Sequence, residues 1–179
     1  PRVLVAPLDW GLGHATRCVP VIKELISQGA DVWLAGEGLQ EELLKQEFPG
    51  LPFLQLPGYR VNYAKSAFGL TWRMIRQSPK ILKAISAEHK WLREVINDYQ
   101  PDAIISDNRY GLYHPEIKSV FITHQLMIKS SAGKWGDKLL QKRNYRYVNR
   151  FSECWVPDLA GNENLSGELS HPLKMPAVP

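Results

Sequence analysis

The sequence predicts an α/β fold, a parallel sheet with helices on both faces, and three observations carry that expectation. Apolar runs of strand length alternate with amphipathic stretches of helix length along most of the chain. The runs are continuously apolar rather than alternating, as strands covered on both faces are. A glycine-rich turn follows the first run at once, in "VLVAPLDWGLGHATRCVPVIKEL".

Val3, Leu4, Val5 and Ala6 form the first strand, ended by Pro7, and residues 7–13 form its loop. A helix follows, with Cys18, Ile22, Leu25 and Ile26 on one face and a stop at Gly29. Pro20 lacks an N–H and clashes with the preceding turn, so this helix is expected to start near Arg17 or to kink. "DVWLA" at 31–35, "LQEELLKQEF" at 39–48 and "PFLQL" at 52–56 continue the alternation as strand, helix and strand. Residues 66–98 hold one or two longer helices, broken before Pro79. "AIIS" at 103–106 and "SVFIT" at 119–123 are buried strands, "WGDKLLQKRNYRYVNRF" a helix, and "ECWVP" a last strand. Right-handed crossovers between parallel strands follow from this order.

A length of 179 residues suits one domain, and 44% hydrophobic with 22% charged residues is the usage of a soluble globular chain. The net charge of +4 is compatible with a phosphate, a polyanion or an anionic lipid surface and requires none of them. Cys18 and Cys154 lie far apart in apolar surroundings, which predicts reduced structural thiols and a cytoplasmic protein. No apolar run reaches the roughly 18 residues of a membrane span, and no secretory leader precedes the first strand. The chain begins at Pro1 already in a strand pattern and ends in the proline-rich "HPLKMPAVP", so a longer parent protein is expected.

In an open parallel sheet ligands bind at the carboxyl ends of the strands. The loops to search are therefore 7–14, 36–38, 56–60, 106–114, 123–130 and 157–162. The first holds Gly11 and Gly13, but a dinucleotide fingerprint would need glycine or alanine where Thr16 stands, and no Walker-type phosphate loop is present. What remains is a turn into a helix start, where Gly11, Leu12 and Gly13 offer backbone N–H groups to a phosphate or a developing oxyanion. The same glycines also fit a tight turn with no ligand. His14 follows directly and can take a proton at neutral pH, or simply satisfy the turn.

"GLGHATR" resembles the first-loop signature of GT-B glycosyltransferases, above all the branch of the peptidoglycan N-acetylglucosaminyltransferase. "FITHQ" at 121–125 resembles the way that family ends its fifth strand, although Gln125 and Leu126 stand where that branch prefers an acidic residue and then an amide. The resemblance implies a Rossmann-like sheet forming one half of a GT-B enzyme. Residues 1–179 would be the amino-terminal, acceptor-binding domain, and the carboxyl-terminal nucleotide-sugar domain would lie outside this chain. It further implies transfer of a sugar from a nucleotide-sugar, a UDP-sugar, to a hydroxyl acceptor, with inversion and without a metal or other cofactor. His14 would be the base. Asp107, in "SDNRYG", would orient it or else cap its own loop, while Arg17, Asn108, Arg109, His124 and Gln125 would bind acceptor or phosphate.

Residues 59–93 interleave Tyr59, Tyr63, Phe68, Trp72 and Trp91 with Arg60, Lys65, Arg73, Arg76, Lys80, Lys83 and Lys90. This suits peripheral contact with the inner face of an anionic membrane, and so a lipid-linked acceptor of the cell envelope; the alternative is an apolar core face with a solvated lysine face. Nucleic acid is not expected, because no binding motif accompanies the charge. The histidines lack metal-ligand spacing. Two other functions use the same features: a nucleotide-sugar epimerase of this fold, and a non-catalytic glycan- or lipid-binding module in which His14 only caps the turn. If the basic segment meets lipid, the protein partitions onto anionic vesicles with an affinity that falls as salt rises. Equal partitioning onto neutral and anionic vesicles would remove the idea.

Overall fold

The computed structural model describes residues 1–59, 78–130, 133–159 and 163–179. The described strands are β1 (Arg2–Pro7), β2 (Asp31–Gly36), β3 (Phe53–Gln55), β4 (Ala103–Asp107), β5 (Lys118–Ile122) and β6 (Glu153–Trp155). The helices are α1 (Leu12–Ser27), α2 (Leu39–Glu47), α3 (Ser78–Tyr99) and α4 (Gly133–Val148). All strands pair in parallel, in the order β3-β2-β1-β4-β5-β6. The chain winds outward from β1 to β3 and then returns to the centre as β4. That reversal places a switch point between β1 and β4.

Right-handed crossovers send the helices before and after the reversal to opposite faces. On one face Val3, Val5, Val32, Leu34, Ile105, Val120 and Ile122 pack against Ala15, Cys18 and Ile22 of α1 and Leu44 of α2. On the other, Leu4, Ala6, Ala35 and Ile104 pack against Leu92 and Val95 of α3. The near-continuous apolar runs of the strands thus serve two helical layers.

Helix α1 corrects the expectation of a start near Arg17. It begins at Leu12, five residues before Arg17, and passes through the proline. Pro20 lies on the exposed side, so the carbonyl it leaves without an amide partner, that of exposed Thr16, faces water. The usual penalty of roughly 3 kcal/mol is offset by burying Ala15, Cys18 and Ile22 on the opposite side.

Of the basic and aromatic segment, residues 60–77 lie outside the described residues, as does any helix before Ser78. In the described part the aromatics point inward. Tyr59 is buried, and Trp91 packs on the α3 face and donates its indole N–H to the Gln55 carbonyl at 3.0 Å. Lys83 and Lys90 are exposed. Tyr59 is therefore a core residue, and Trp91 is partly buried against the α3 face. Among the described residues no helix is long and apolar enough to cross a membrane.

Gly111, just past the end of β4, lies tight against α3. A Cβ there would stand 2.4 Å from the Ile85 carbonyl oxygen and 2.5 Å from the Glu88 Cβ. Gly111→Ala is expected to force α3 outward and to destabilise the domain by about 1–3 kcal/mol, read as a lower midpoint in urea unfolding with an unchanged slope.

Candidate functional site

The register sets the site. Pro7 at the end of β1 pairs with Asp107 at the end of β4, which pairs in turn with Ile122 of β5. Asp107 therefore ends the central strand on the α1 side, fully buried. His14, Arg17 and Cys18 recur at helical spacing, and α1 turns all three toward its carboxylate. His14 Nδ1 stands 3.0 Å from Asp107 Oδ1. Arg17 donates from Nε to Oδ2 at 3.0 Å and from Nη2 to Oδ1 at 2.5 Å, a two-point fork on a buried acid. The Cys18 thiol donates to Oδ2 at 3.8 Å; burial, and then the Asp107 charge, push that thiol far up and keep it protonated. Both cysteines are free.

Arg17 reaches further. Its Nη1 stands 2.9 Å from His124 Nδ1 and its Nη2 stands 3.0 Å from His14 Nδ1. Burial lowers the pKa of His124 below the ordinary histidine value, and the charges of Arg17 and His14 act in the same direction. Arg17, expected from the sequence to bind acceptor or phosphate, turns its guanidinium inward to Asp107 and His124. The Nε2 atoms of both histidines lack a hydrogen-bond partner among the described residues.

The start of α1 is open. Gly11 is its N-cap with φ 90°, a backbone shape that favours glycine, and no side chain caps the helix. Gly11, Leu12 and Gly13 are exposed. No atom lies within 4 Å of the Cβ position of Gly13, so packing does not require a glycine there. Neighbouring loops lock this turn from behind. Buried Gln40 donates to the carbonyls of Gly11 at 3.1 Å and Leu8 at 3.4 Å. Asp9 accepts from the Tyr59 N–H, and Glu37 from the Gly58 N–H. Between the loops lies a groove of about 190 Å³ lined by Asp9, Gly11, Glu37, Gly38, Leu39 and Gln40.

The structure separates the remaining candidates. Gln125 is exposed beside His124, its carbonyl held by buried Asn144 at 3.0 Å. Asn108 is mostly buried with φ 58° and serves as a left-handed turn residue, its N–H bonded to the Ile122 carbonyl. Arg109 is a correction. It is wholly buried on the α3 side, bonded to the carbonyls of Pro7 at 2.8 Å and Pro57 at 3.2 Å and paired with Glu88 at 2.9 Å, so it lines no open pocket. Burial raises the Glu88 pKa, against the pull of Arg109, the Tyr59 hydroxyl and the Gly111 N–H. Sequence reasoning missed Gln40, Glu88 and Asn144. A polar residue on an amphipathic helix carries no local sign that its side chain will be buried against a loop.

No protein-family model matches the chain. It is 26% identical over 167 residues to an uncharacterized glycosyltransferase of Methanosarcina acetivorans, a match covering 88% of this chain and 42% of the relative. A second uncharacterized glycosyltransferase, of Methanosarcina mazei, is 23% identical over 126 residues, covering 61% of this chain and 28% of the relative. The chain thus spans well under half the length of the curated relatives it matches. Among solved structures, the glycosyltransferase SsfS6 of Streptomyces sp. SF2575 superposes with a TM-score of 0.54 at 14% identity, over 82% of this chain and 44% of that one. SsfS6 has also been solved with thymidine diphosphate. A UDP-N-acetylglucosamine 2-epimerase superposes with a TM-score of 0.55 at 11% identity, over 88% and 42%. These likenesses establish a Rossmann-like fold of the kind found in GT-B glycosyltransferases.

The placement of Arg109 generates a prediction. Arg109→Met strands a carboxylate in the core, so it is expected to cost about 3–5 kcal/mol of stability. The loss should be smaller in mild acid, where Glu88 can take a proton. A fully stable variant would overturn the structural assignment.

Proposed function

We propose that this chain is the acceptor-binding half of a GT-B glycosyltransferase that moves a sugar from a nucleotide-sugar to a hydroxyl. The observation that carries the reading is the pairing of His14 with buried Asp107 at the switch point, beside an uncapped helix start. The relatives named glycosyltransferase support it over an epimerase, since the fold is common to both.

In this reading the acceptor lies over Gly11–Gly13 and the groove beside Asp9 and Glu37. His14 Nε2 takes the proton of the acceptor hydroxyl as that oxygen attacks the anomeric carbon of the sugar. The bond from that carbon to the diphosphate oxygen breaks, the electron pair leaves with the nucleoside diphosphate, and the anomeric centre inverts. Asp107 holds the imidazole and steadies the imidazolium that forms. The backbone N–H groups at the start of α1 face phosphate or developing negative charge. Gly13 belongs to this surface because a bare backbone lets a ligand approach closely. No metal is needed, and the donor is a UDP-sugar or a related nucleotide-sugar held chiefly by chain outside these residues. A lipid-linked acceptor at the inner membrane face is the form the vesicle experiment tests.

His14→Ala in the full-length protein is expected to lower kcat by roughly 10²–10⁴-fold, about 3–5 kcal/mol of barrier, with fold and donor affinity nearly unchanged. Asp107→Asn should cost less, because it misorients the base without deleting it. Near-normal turnover in His14→Ala, measured with the unfolding midpoint as a control, would leave His14 a structural residue of the turn.

A further inference from the structure

We propose that Arg17 is a positioning residue that sorts the protons of two histidines, fixing His124 as a hydrogen-bond donor through Nε2 and leaving Nδ1 of His14 to Asp107. The inference rests on the reading of His14 as the base and says which of its nitrogens is bare and why.

The geometry at His124 leaves one arrangement. Its Nδ1 faces Arg17 Nη1 at 2.9 Å, and a guanidinium nitrogen only donates. Nδ1 must therefore accept, so the neutral ring carries its proton on Nε2, and a doubly protonated ring would set an N–H against the guanidinium. The titratable and charged groups facing this ring are Arg17, His14 and Asp107; burial, and then the Arg17 charge, hold the His124 pKa down against the acid.

At His14 two neighbours compete for one nitrogen. Nδ1 lies 3.0 Å from Asp107 Oδ1 and 3.0 Å from Arg17 Nη2. A bare Nδ1 would turn its lone pair toward a buried carboxylate oxygen. With a proton on Nδ1, both it and Arg17 donate to Oδ1, while Oδ2 takes the Arg17 Nε–H and the Cys18 thiol. The shorter contact of Nη2 is the one to Oδ1, at 2.5 Å, so the arginine is already engaged by the acid. Nε2 of His14 is then the bare nitrogen. One imidazole at the mouth of the sheet can accept a proton, and the other can only give a hydrogen bond. The acceptor class that fits presents a reacting hydroxyl to His14 and a second oxygen, of a hydroxyl, carbonyl or phosphate, to His124.

Two-bond ¹H–¹⁵N spectra of the imidazole rings in the ¹⁵N-labelled chain, followed through a pH titration, test this without any turnover. Near neutral pH His124 is expected as the Nε2–H tautomer and His14 as the Nδ1–H tautomer, with the His124 midpoint below about 6.5. Arg17→Gln should raise the His124 midpoint, the effect of removing a close charge, while burial keeps part of the depression. Arg17→Lys should restore part of that shift but not the fork on Asp107. In the full-length protein Arg17→Gln should lower kcat with little change in KM for the donor. The Nδ1–H form of His124, the Nε2–H form of His14, or an unmoved His124 midpoint in Arg17→Gln would each overturn the proposal. If Arg17→Gln does not fold, the tautomers of the unsubstituted chain decide. Because tautomers are read without catalysis, this inference can fail while His14→Ala still abolishes transfer, and the functional reading can fail with both tautomers as expected.

Discussion

A buried carboxylate has to be answered by its surroundings, and the mouth of this sheet is organised around one, that of Asp107. Left unpaired in the interior, such a charge would cost several kcal/mol. Its partners all come from one face of α1, where His14, Arg17 and Cys18 follow at helical spacing. The helix must therefore begin before His14 and continue through Pro20. Had it started at Arg17, His14 would sit in a loop with no fixed approach to the acid. The exposed proline and the buried stripe of α1 belong to the architecture of the site as much as to that of the core.

Asp107 has a counterpart across the sheet. Strand alternation turns Asp107 toward α1, and the left-handed turn at Asn108 carries the chain over to the α3 side, where Arg109 pairs with Glu88. From there the guanidinium holds the carbonyls of Pro7 and Pro57, at the ends of the first and third strand regions. One short segment thus supplies the acid that organises the histidines at the mouth of the sheet and the arginine that pins the loops behind them. The two charges have separate consequences because the sheet lies between them.

The fold itself does not choose a chemistry. Its likeness extends to a glycosyltransferase and to an epimerase at nearly equal TM-scores. What bears on chemistry here is the side chains placed at the switch point: a histidine held by an acid, a second histidine held by an arginine, and a helix start left bare. Function lives in such side chains and not in the fold that carries them.

The sequence by itself determined the alternation of strand and helix, the parallel sheet and the loop where His14 stands, because hydrophobic period and glycine placement are local properties of the chain. It offered Asp107 either as a partner for His14 or as a cap of its own loop, and the structure chose the first. Tertiary structure decided the rest. Whether α1 tolerates Pro20 depends on what its far side buries. Arg17 and Arg109 both read as cations available to an anion, yet each points inward, one to Asp107 and the other to Glu88. Gln40 reads as an ordinary surface glutamine and instead holds the first loop. Partners of these side chains lie as far as 107 residues away in the chain, and only packing reveals which long polar residue reaches water and which a buried charge or a loop carbonyl.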